Sequence, residues 1–507
     1  MTLFGGGDIY AATIMVAVYM LGLGLGSTIG GHIADHHEHE TLLILFAHCE
    51  IVIGFFALGS VWLYHNFFLQ HLSSIAHSRA VLSIILFVGF LLPTILMGMS
   101  LPLLSKSFAN RIDVAPRIIS YLYSFNTIGA SLGAFFTTWF LIRNFAIERS
   151  IQFAAILNFL VGLAVLSSVR FKKESLPPME AEFAHSPAPE DRKRIFLYLM
   201  VYALSGFLAL SLEMLSFSLL GVVLKASTFI FGQLLTIYLL GLGIGSISGN
   251  YWLRKIANAW RSFLYLQFGI CAYSVLMITV LVYVSEISVL PSFWKYLVAY
   301  DPIDLEKIFA GQFSKEFFVL YFLIPFTLIF PATFMMGVSY PLIQKVIQND
   351  LHRIGRHVGW LHSASFIGSV AGVITTAFIF FNSFGTVRTF QIVLLLSSLF
   401  LILLVVSTKK IIPSLSFLLL VLLFWKVPAV DRTWGKLHGV DGKSVLHIED
   451  SSGLTVLRAS TPNFSEAIVF SNGIGIGEIP YFNFHVTLGM LPVMLHPNPE
   501  EVAIIGL

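Results

Sequence analysis

The chain alternates long apolar runs with short polar breaks, and most runs reach about 20 residues, the length a helix needs to cross a bilayer. Lipid offers the backbone no hydrogen-bond partner. Each run is therefore expected to be a helix, which satisfies its own N–H and C=O groups within one segment. The pattern predicts segments at residues 9–31, 43–65, 80–104, 118–141, 149–169, 195–219, 226–250, 262–287, 317–344, 357–381, 387–407 and a shorter one at 411–425. The first contains Gly22, Gly24, Gly26 and Gly30, with no basic stretch before it and no small-residue cleavage site, so it reads as a retained span.

Order recurs along these segments. Tyr19, Gly22, Gly24, Gly26, Ser27 and Gly30 return at one constant offset as Tyr238, Gly241, Gly243, Gly245, Ser246 and Gly249. Gly98, Ser100 and Pro102 return as Gly337, Ser339 and Pro341, and Gly129, Gly133, Arg149 and Gln152 as Gly368, Gly372, Arg388 and Gln391. The offset grows between the two groups, which places an insertion in the second copy around Lys295 to Lys315. The membrane part is thus two homologous units, residues 1–169 and 195–410, with a basic, proline-containing linker at 170–194. The second unit opens on a helix, 195–219, that has no counterpart in the first. Either the first methionine is internal to a longer reading frame, or this chain has lost a helix.

Glycines four apart, Gly22 with Gly26, Gly129 with Gly133, Gly241 with Gly245 and Gly368 with Gly372, are expected to let helix backbones approach closely. Paired repeats with interrupted helices are also how many transporters build a central site. Pro93 with Pro102, and Pro331 with Pro341, bracket Gly98 and Gly337 as candidate broken helices.

Composition narrows the class further. Hydrophobic residues make up 57% and charged ones 11%, against roughly 25% charged in soluble domains. The net charge of +3 comes from basic residues scattered through loops, which excludes the dense stripe a nucleic-acid partner requires. The partner implied is the lipid bilayer, as for a multi-pass protein of the cell membrane; no feature sets an oligomeric state. Cys49 and Cys271 lie in apolar segments and read as packing residues. Counting Lys and Arg places 105–117, 170–194, 251–261, 345–356 and Lys409-Lys410 in the cytoplasm. Segment 411–425 then either spans, exporting the C-terminal region, or is re-entrant and keeps that region inside.

Polar groups inside the apolar runs are the candidate chemistry. Glu213 is mid-segment, where a carboxylate costs about 2.5–3.5 kcal/mol on insertion scales, so it should face the bundle interior or a cavity. It is the leading intramembrane site; a helix–helix hydrogen bond is the alternative. Glu50 with His48 sits in the second segment and Gln267 in the related place of the second unit, where a structural hydrogen bond is the favoured reading. His32 and His36, four apart in the loop that also holds Asp35, His37, Glu38, His39 and Glu40, have the spacing of two zinc ligands. No thiolates accompany them, and solvated charge is the ordinary explanation.

After Trp425 the pattern changes to strand-length runs, Lys443 to Glu449, Leu454 to Ala459 and Ala467 to Phe470, separated by turns such as Ser471-Asn472-Gly473. A small antiparallel domain is expected over 426–480. Next come a helix over Tyr481 to Leu495, then His496-Pro497-Asn498-Pro499 and an apolar strand at Val502 to Leu507. Gly473-Ile474-Gly475-Ile476-Gly477 comes after a hairpin turn and precedes no βαβ unit, so it reads as a turn rather than a cofactor loop.

The Asn-Gly turn, Phe484-His485, Leu491-Pro492, His-Pro-Asn-Pro and Val-Ala-Ile-Ile-Gly together resemble the entry into the spermidine synthase family. The helices with Ser205-Gly206 to Glu213 and with Gly-x-Gly-x-Gly-Ser at 22–27 and 241–246 are similar to those of bacterial proteins in which such a domain comes after a membrane bundle. The resemblance implies a Rossmann-like α/β domain beginning at 481–507 and cut short, decarboxylated S-adenosylmethionine as cofactor if the domain were completed, and polyamine contact at His485 and Phe484. Phe484 and Val486 replace the family's tyrosine and glutamate, Asn472 its turn aspartate, and Ser452 its nucleoside-contacting glutamine. No catalytic residue falls within this chain, so it should not catalyse aminopropyl transfer as it stands. The fold expected is a mainly α-helical polytopic membrane protein of two homologous units with a small antiparallel β-domain and a truncated Rossmann-like domain. The function expected is that of a membrane-embedded synthase-like protein; the alternatives are a transporter or permease, with polyamines or related amines as candidate cargo, and a structural membrane component.

Overall fold

The computed structural model describes residues 9–63, 66, 79–109, 111–172, 192–225, 228–284, 299, 318–408, 412–450, 453–461, 463–480 and 483–497. The first unit contains α1 (Ile9–His36), α2 (His39–Leu63), α3 (Arg79–Phe108), α4 (Ala115–Phe136) and α5 (Ile142–Lys172). The second contains α6 (Arg192–Val223), α7 (Thr228–Trp252), α8 (Ala259–Val284), α9 (Ile324–Ile347), α10 (Ile354–Thr375) and α11 (Phe381–Thr408). Two shorter helices, α12 (Ile412–Lys426) and α13 (Val430–Leu437), lead to strands β1 (Val445–Asp450), β2 (Gly453–Ala459), β3 (Ala467–Ser471) and β4 (Ile474–Ile479), then α14 (Asn483–Leu495).

π-Turns at Thr137–Leu141 and Thr376–Phe380 join α4 to α5 and α10 to α11, so each pair forms one apolar helical stretch, of 55 and 57 residues. At 1.5 Å per residue such a stretch is roughly 80 Å long, well over twice the ~30 Å of a bilayer core. Each is therefore long enough to cross twice. The break falls at one residue with non-helical backbone, Ala146 (φ 57°) in the first unit and Gly385 (φ 67°) in the second. These two positions are equivalent in the repeat.

The expected breaks at the paired prolines are corrected: α3 runs through Pro93 and Pro102, and α9 through Pro331 and Pro341, as continuous helices. A proline frees the carbonyl four residues earlier. Ser27 Oγ donates to the Gly98 carbonyl left by Pro102 (3.1 Å), and the Tyr273 hydroxyl to the Thr327 carbonyl left by Pro331 (2.6 Å). Neighbouring helices thus supply what the proline removes, which is how membrane helices tolerate it.

The repeat holds at the level of individual contacts. A Cβ on Gly26 would come within 2.0 Å of the Ile95 carbonyl oxygen, and one on Gly245 within 2.1 Å of the equivalent Phe334 oxygen. Gly98 meets the Leu23 carbonyl and Gly337 the equivalent Leu242 carbonyl in the same way. These glycines let α1 lie directly on α3, and α7 on α9. Without a hydrophobic driving force between helices in lipid, such backbone approach is a main source of packing energy. Between the units, α1 packs along α10 and α4 along α7.

One of the glycine pairs departs from this. Gly368 and Gly372 on α10 are buried against the Ala203 and Phe207 carbonyls of α6, whereas a Cβ on Gly129 or Gly133 of α4 would meet nothing within 4 Å. The expectation of close approach is met at three pairs and corrected at the fourth.

The C-terminal sheet is antiparallel in the order β1-β2-β3-β4. Val456, Phe470 and the nearby Trp434 are fully buried and continue the core of the second unit. The sheet sits where α6 ends and α11 begins: Gly473 abuts the Val222 carbonyl, and Glu449 accepts from Thr386. The opposite end of the bundle holds Arg192, Lys193 and Arg194 at the start of α6, and Arg261, which donates to the Ser407 carbonyl (2.8 Å). Helix α12 returns from that basic end alongside α11, with Gln391 Nε2 donating to the Phe424 carbonyl (3.3 Å). The last apolar segment thus leads from the basic end to the sheet end. Among the described residues the sheet pairs only in antiparallel fashion, and the expected strand at Val502 to Leu507 lies outside them.

Candidate functional site

Glu213 stands on α6 with part of its surface open, and it interacts side chain to side chain with Tyr238 of α7. Tyr238 is itself within electrostatic reach of Tyr123 on α4 and Tyr202 on α6. A carboxylate and tyrosines from both units therefore converge in the middle of the bundle. Tyr123 stacks on Tyr340 of α9 with ring centroids 4.1 Å apart, and the Tyr340 hydroxyl shares a hydrogen bond of 2.9 Å with His362 Nε2 on α10. Gln344 Nε2 donates to that hydroxyl (2.9 Å), and Gln348 Nε2 to Gln344 Oε1 (3.0 Å). Tyr340, Gln344, Gln348 and His362 are all buried, so this chain of polar groups is held at fixed geometry inside the second unit.

The other residues singled out from the sequence lie apart from this cluster. Ser100 of α3 donates to Glu50 Oε1 at 3.4 Å, and His48 donates from Nδ1 to the Ile44 carbonyl one turn back (2.7 Å). In the second unit, Ser205 donates to Gln267 Oε1 (2.8 Å). The His32 and His36 rings are 4.5 Å apart, but His36 Nδ1 donates to the His32 carbonyl and His37 Nδ1 to the Ile33 carbonyl, so both cap the end of α1. Among the described residues no group of three or more His, Cys, Asp or Glu could hold a metal ion. Phe484 and His485 fall in the first turn of α14, and their side chains lie outside the described part of the chain.

A second arrangement was not anticipated. Asp35, at the end of α1, accepts from the backbone N–H groups of Gly355 (2.9 Å) and Arg356 (3.1 Å) in the first turn of α10. The guanidinium of Arg356 lies 3.8 Å away, and Lys106 of α3 donates to the Leu351 carbonyl (2.8 Å) just before α10. A carboxylate on a helix N-terminus satisfies orphan N–H groups and complements the helix dipole. Together they tie the first unit to the second at the basic end. Beside this tie, Thr28, His32, Ile33, Arg356 and Trp360 line an open cavity of about 550 Å³.

No family model matches the chain, and no curated protein matches it. Among solved structures it is similar to the human organic anion transporter MFSD10 (TETRAN), with 14% identity over 83% of this chain and 84% of that one, and a TM-score of 0.43. It is likewise similar to a bacterial homologue of the iron transporter ferroportin in an outward-facing state with soaked iron, with 13% identity over 83% and 92% of the two chains, and a TM-score of 0.46.

The expected membership of the spermidine synthase family, and the synthase-like function drawn from it, are corrected by these results. No family model and no curated relative of a synthase matches the chain. The motifs behind the resemblance have local structural uses. Asn472 (φ 48°) forms the β3-β4 turn while its Oδ1 accepts from the Leu454 N–H (2.9 Å), and Gly473 makes room for α6.

Proposed function

We propose that this chain is a multi-pass membrane transporter whose cargo is a small cationic or protonatable organic solute bound at Glu213. The observation that carries the reading is the pairing of a half-open carboxylate, Glu213, with Tyr238 where aromatic residues of both units meet. An intramembrane carboxylate attracts a cation or a proton, and tyrosine faces add cation–π attraction of about 0.5–2 kcal/mol. Two repeated units joined by a polar tie at one end supply the parts for opening the site to either side in turn. The basic loops orient the tie toward the cytoplasm and the β-sheet toward the opposite face.

The test is uptake into vesicles carrying the purified chain, over a panel of polyamines, related amines and quaternary ammonium ions, with and without an imposed pH gradient. Flux of at least one cation is expected, falling about 100-fold or more in Glu213→Gln, the equivalent of ~2.7 kcal/mol. Absence of flux for the whole panel in both proteins overturns the proposal.

A further inference from the structure

Helix α10 has two faces of opposite character. Helical spacing places Val358 and His362 on the side that packs on Tyr340, and Arg356, Trp360 and Ile367 on the other, where Ile367 is exposed. That outer face is the one a membrane-embedded chain turns to lipid. On α1, Leu25 and Ile29 are likewise exposed and lead at helical spacing to His32. The open cavity of about 550 Å³ lies between these two outer faces, and its volume falls in the ~300–1,000 Å³ class of small-ligand sites.

Its depth is that of a headgroup. Arg356 is in the first turn of α10 with Trp360 one turn further, and His32 is one turn before α1 ends. Trp is enriched at this level, where hydrocarbon gives way to water. Deeper in the bundle, the cavity's Ile29 continues into the exposed Leu25.

The cavity also offers donors with nothing to receive them. Asp35 lies 3.8 Å from Arg356 Nε, a contact that occupies one edge of the guanidinium. Among the described residues the two terminal nitrogens of Arg356 and the ring of His32 make no hydrogen bond. The guanidinium lies over the Trp360 ring, 5.9 Å from its centroid, which holds it beside the cavity. Asp35 itself, with its side chain 4% exposed, does not line the cavity. Arg353 is paired with Asp350 (3.4 Å), so Arg356 and Lys106 face the single carboxylate of Asp35 and leave the site positive.

We infer that the groove between α1 and α10 binds one anionic phospholipid from the leaflet at the basic end. Its phosphate accepts from the terminal nitrogens of Arg356, whose fork suits phosphate oxygens, and from the N–H of His32. Its acyl chains lie along Ile29 and Leu25. A basic pocket between membrane helices is suited to such a headgroup. The lipid touches one helix of each unit and so braces α1 against α10 beside the Asp35 tie. The inference rests on the chain lying in a bilayer and not on the identity of a cargo.

The test is native mass spectrometry of the full chain in detergent, titrated with phosphatidylglycerol or with phosphatidylcholine of the same acyl chains. One phosphatidylglycerol per chain is expected to be held about tenfold more tightly than phosphatidylcholine, and Arg356→Gln to bring the two near parity. His32→Gln leaves the Asp35 contacts intact, so it keeps the inference testable where Arg356→Gln fails to fold; it is expected to lower the preference about threefold. Arg353→Gln removes a neighbouring charge that does not line the cavity and is expected to retain the preference. Equal retention of the two lipids by the wild type, an unchanged preference in the Arg356 and His32 variants, or loss of the preference in Arg353→Gln overturns the inference. Displacement of phosphatidylglycerol by excess inorganic phosphate overturns it in favour of a soluble-anion site. None of these readouts depends on transport, so their failure is distinguishable from failure of the transporter reading.

Discussion

Glu449, on the first strand of the sheet, accepts hydrogen bonds from both the N–H and the hydroxyl of Thr386, the residue directly after the Gly385 kink of α11. Removing the carboxylate in Glu449→Ala leaves two donors without their acceptor, at a cost of about 1.5–3 kcal/mol. The sheet is expected to loosen from the bundle. Limited proteolysis should then cut between α12 and β1 several-fold faster than in the wild type, while unchanged cleavage contradicts the brace.

His438 gives the sheet a pH dependence of known sign. Burial pushes its imidazole down to about 4, and Nδ1 donates to the Trp434 carbonyl (2.8 Å), so the folded form is neutral. Because the folded value lies below the ordinary 6.5, the unfolded sheet takes up the proton first. Stability from this group is complete above that ordinary value and is lost as the pH falls towards 4. The full loss is on the order of 3 kcal/mol. Thermal unfolding followed by Trp fluorescence should show a lower midpoint at acid pH, and His438→Gln should remove most of that difference.

The contrast between the two glycine pairs predicts unequal tolerance. Gly368→Ala places a methyl within 1.8 Å of the Ala203 carbonyl oxygen and must displace α6, whereas Gly129→Ala meets open space. The first is expected to cost about 1–3 kcal/mol or more and the second almost nothing. Detergent thermal-shift measurements on both variants decide this, and equal shifts would falsify the asymmetry.

The tie at Asp35 should bias the balance between conformations. Asp35→Asn keeps the shape but removes the charge from two backbone donors and from Arg356, a change worth about 1–3 kcal/mol. Opening at the basic end is expected to rise roughly tenfold, by the 1.4 kcal/mol per decade rule. Thiol labelling of His32→Cys, which lines the adjoining cavity, reports it: the rate should increase in the Asp35→Asn background.

The long apolar helices were legible because they depend on a feature local in sequence, apolar length. Glu213 stood out because a lone carboxylate in an apolar run is expensive. Its surroundings did not. Tyr123, Tyr202 and Tyr340 are ordinary residues of apolar segments until folding brings three helices together. The Asp35 tie joins residues 320 apart, and nothing near Asp35 announces Gly355. The kinks at Ala146 and Gly385 fell in the short breaks between expected segments, but no rule of composition marks Ala146 as a residue at φ 57°. The synthase resemblance failed for a related reason: a tight hairpin turn asks for Asn-Gly in any small sheet, whatever the domain does.

The paired kinks make the two halves mechanically unequal. Both units carry a bend of one geometry at one place, yet Gly385 is held by the sheet through Glu449, while Ala146 is exposed. A residue with a Cβ at that backbone angle stores about 1–3 kcal/mol. The two bends thus carry different loads: one at a glycine that meets no Cβ penalty and is clasped by the sheet, the other at an alanine that bears the strain itself.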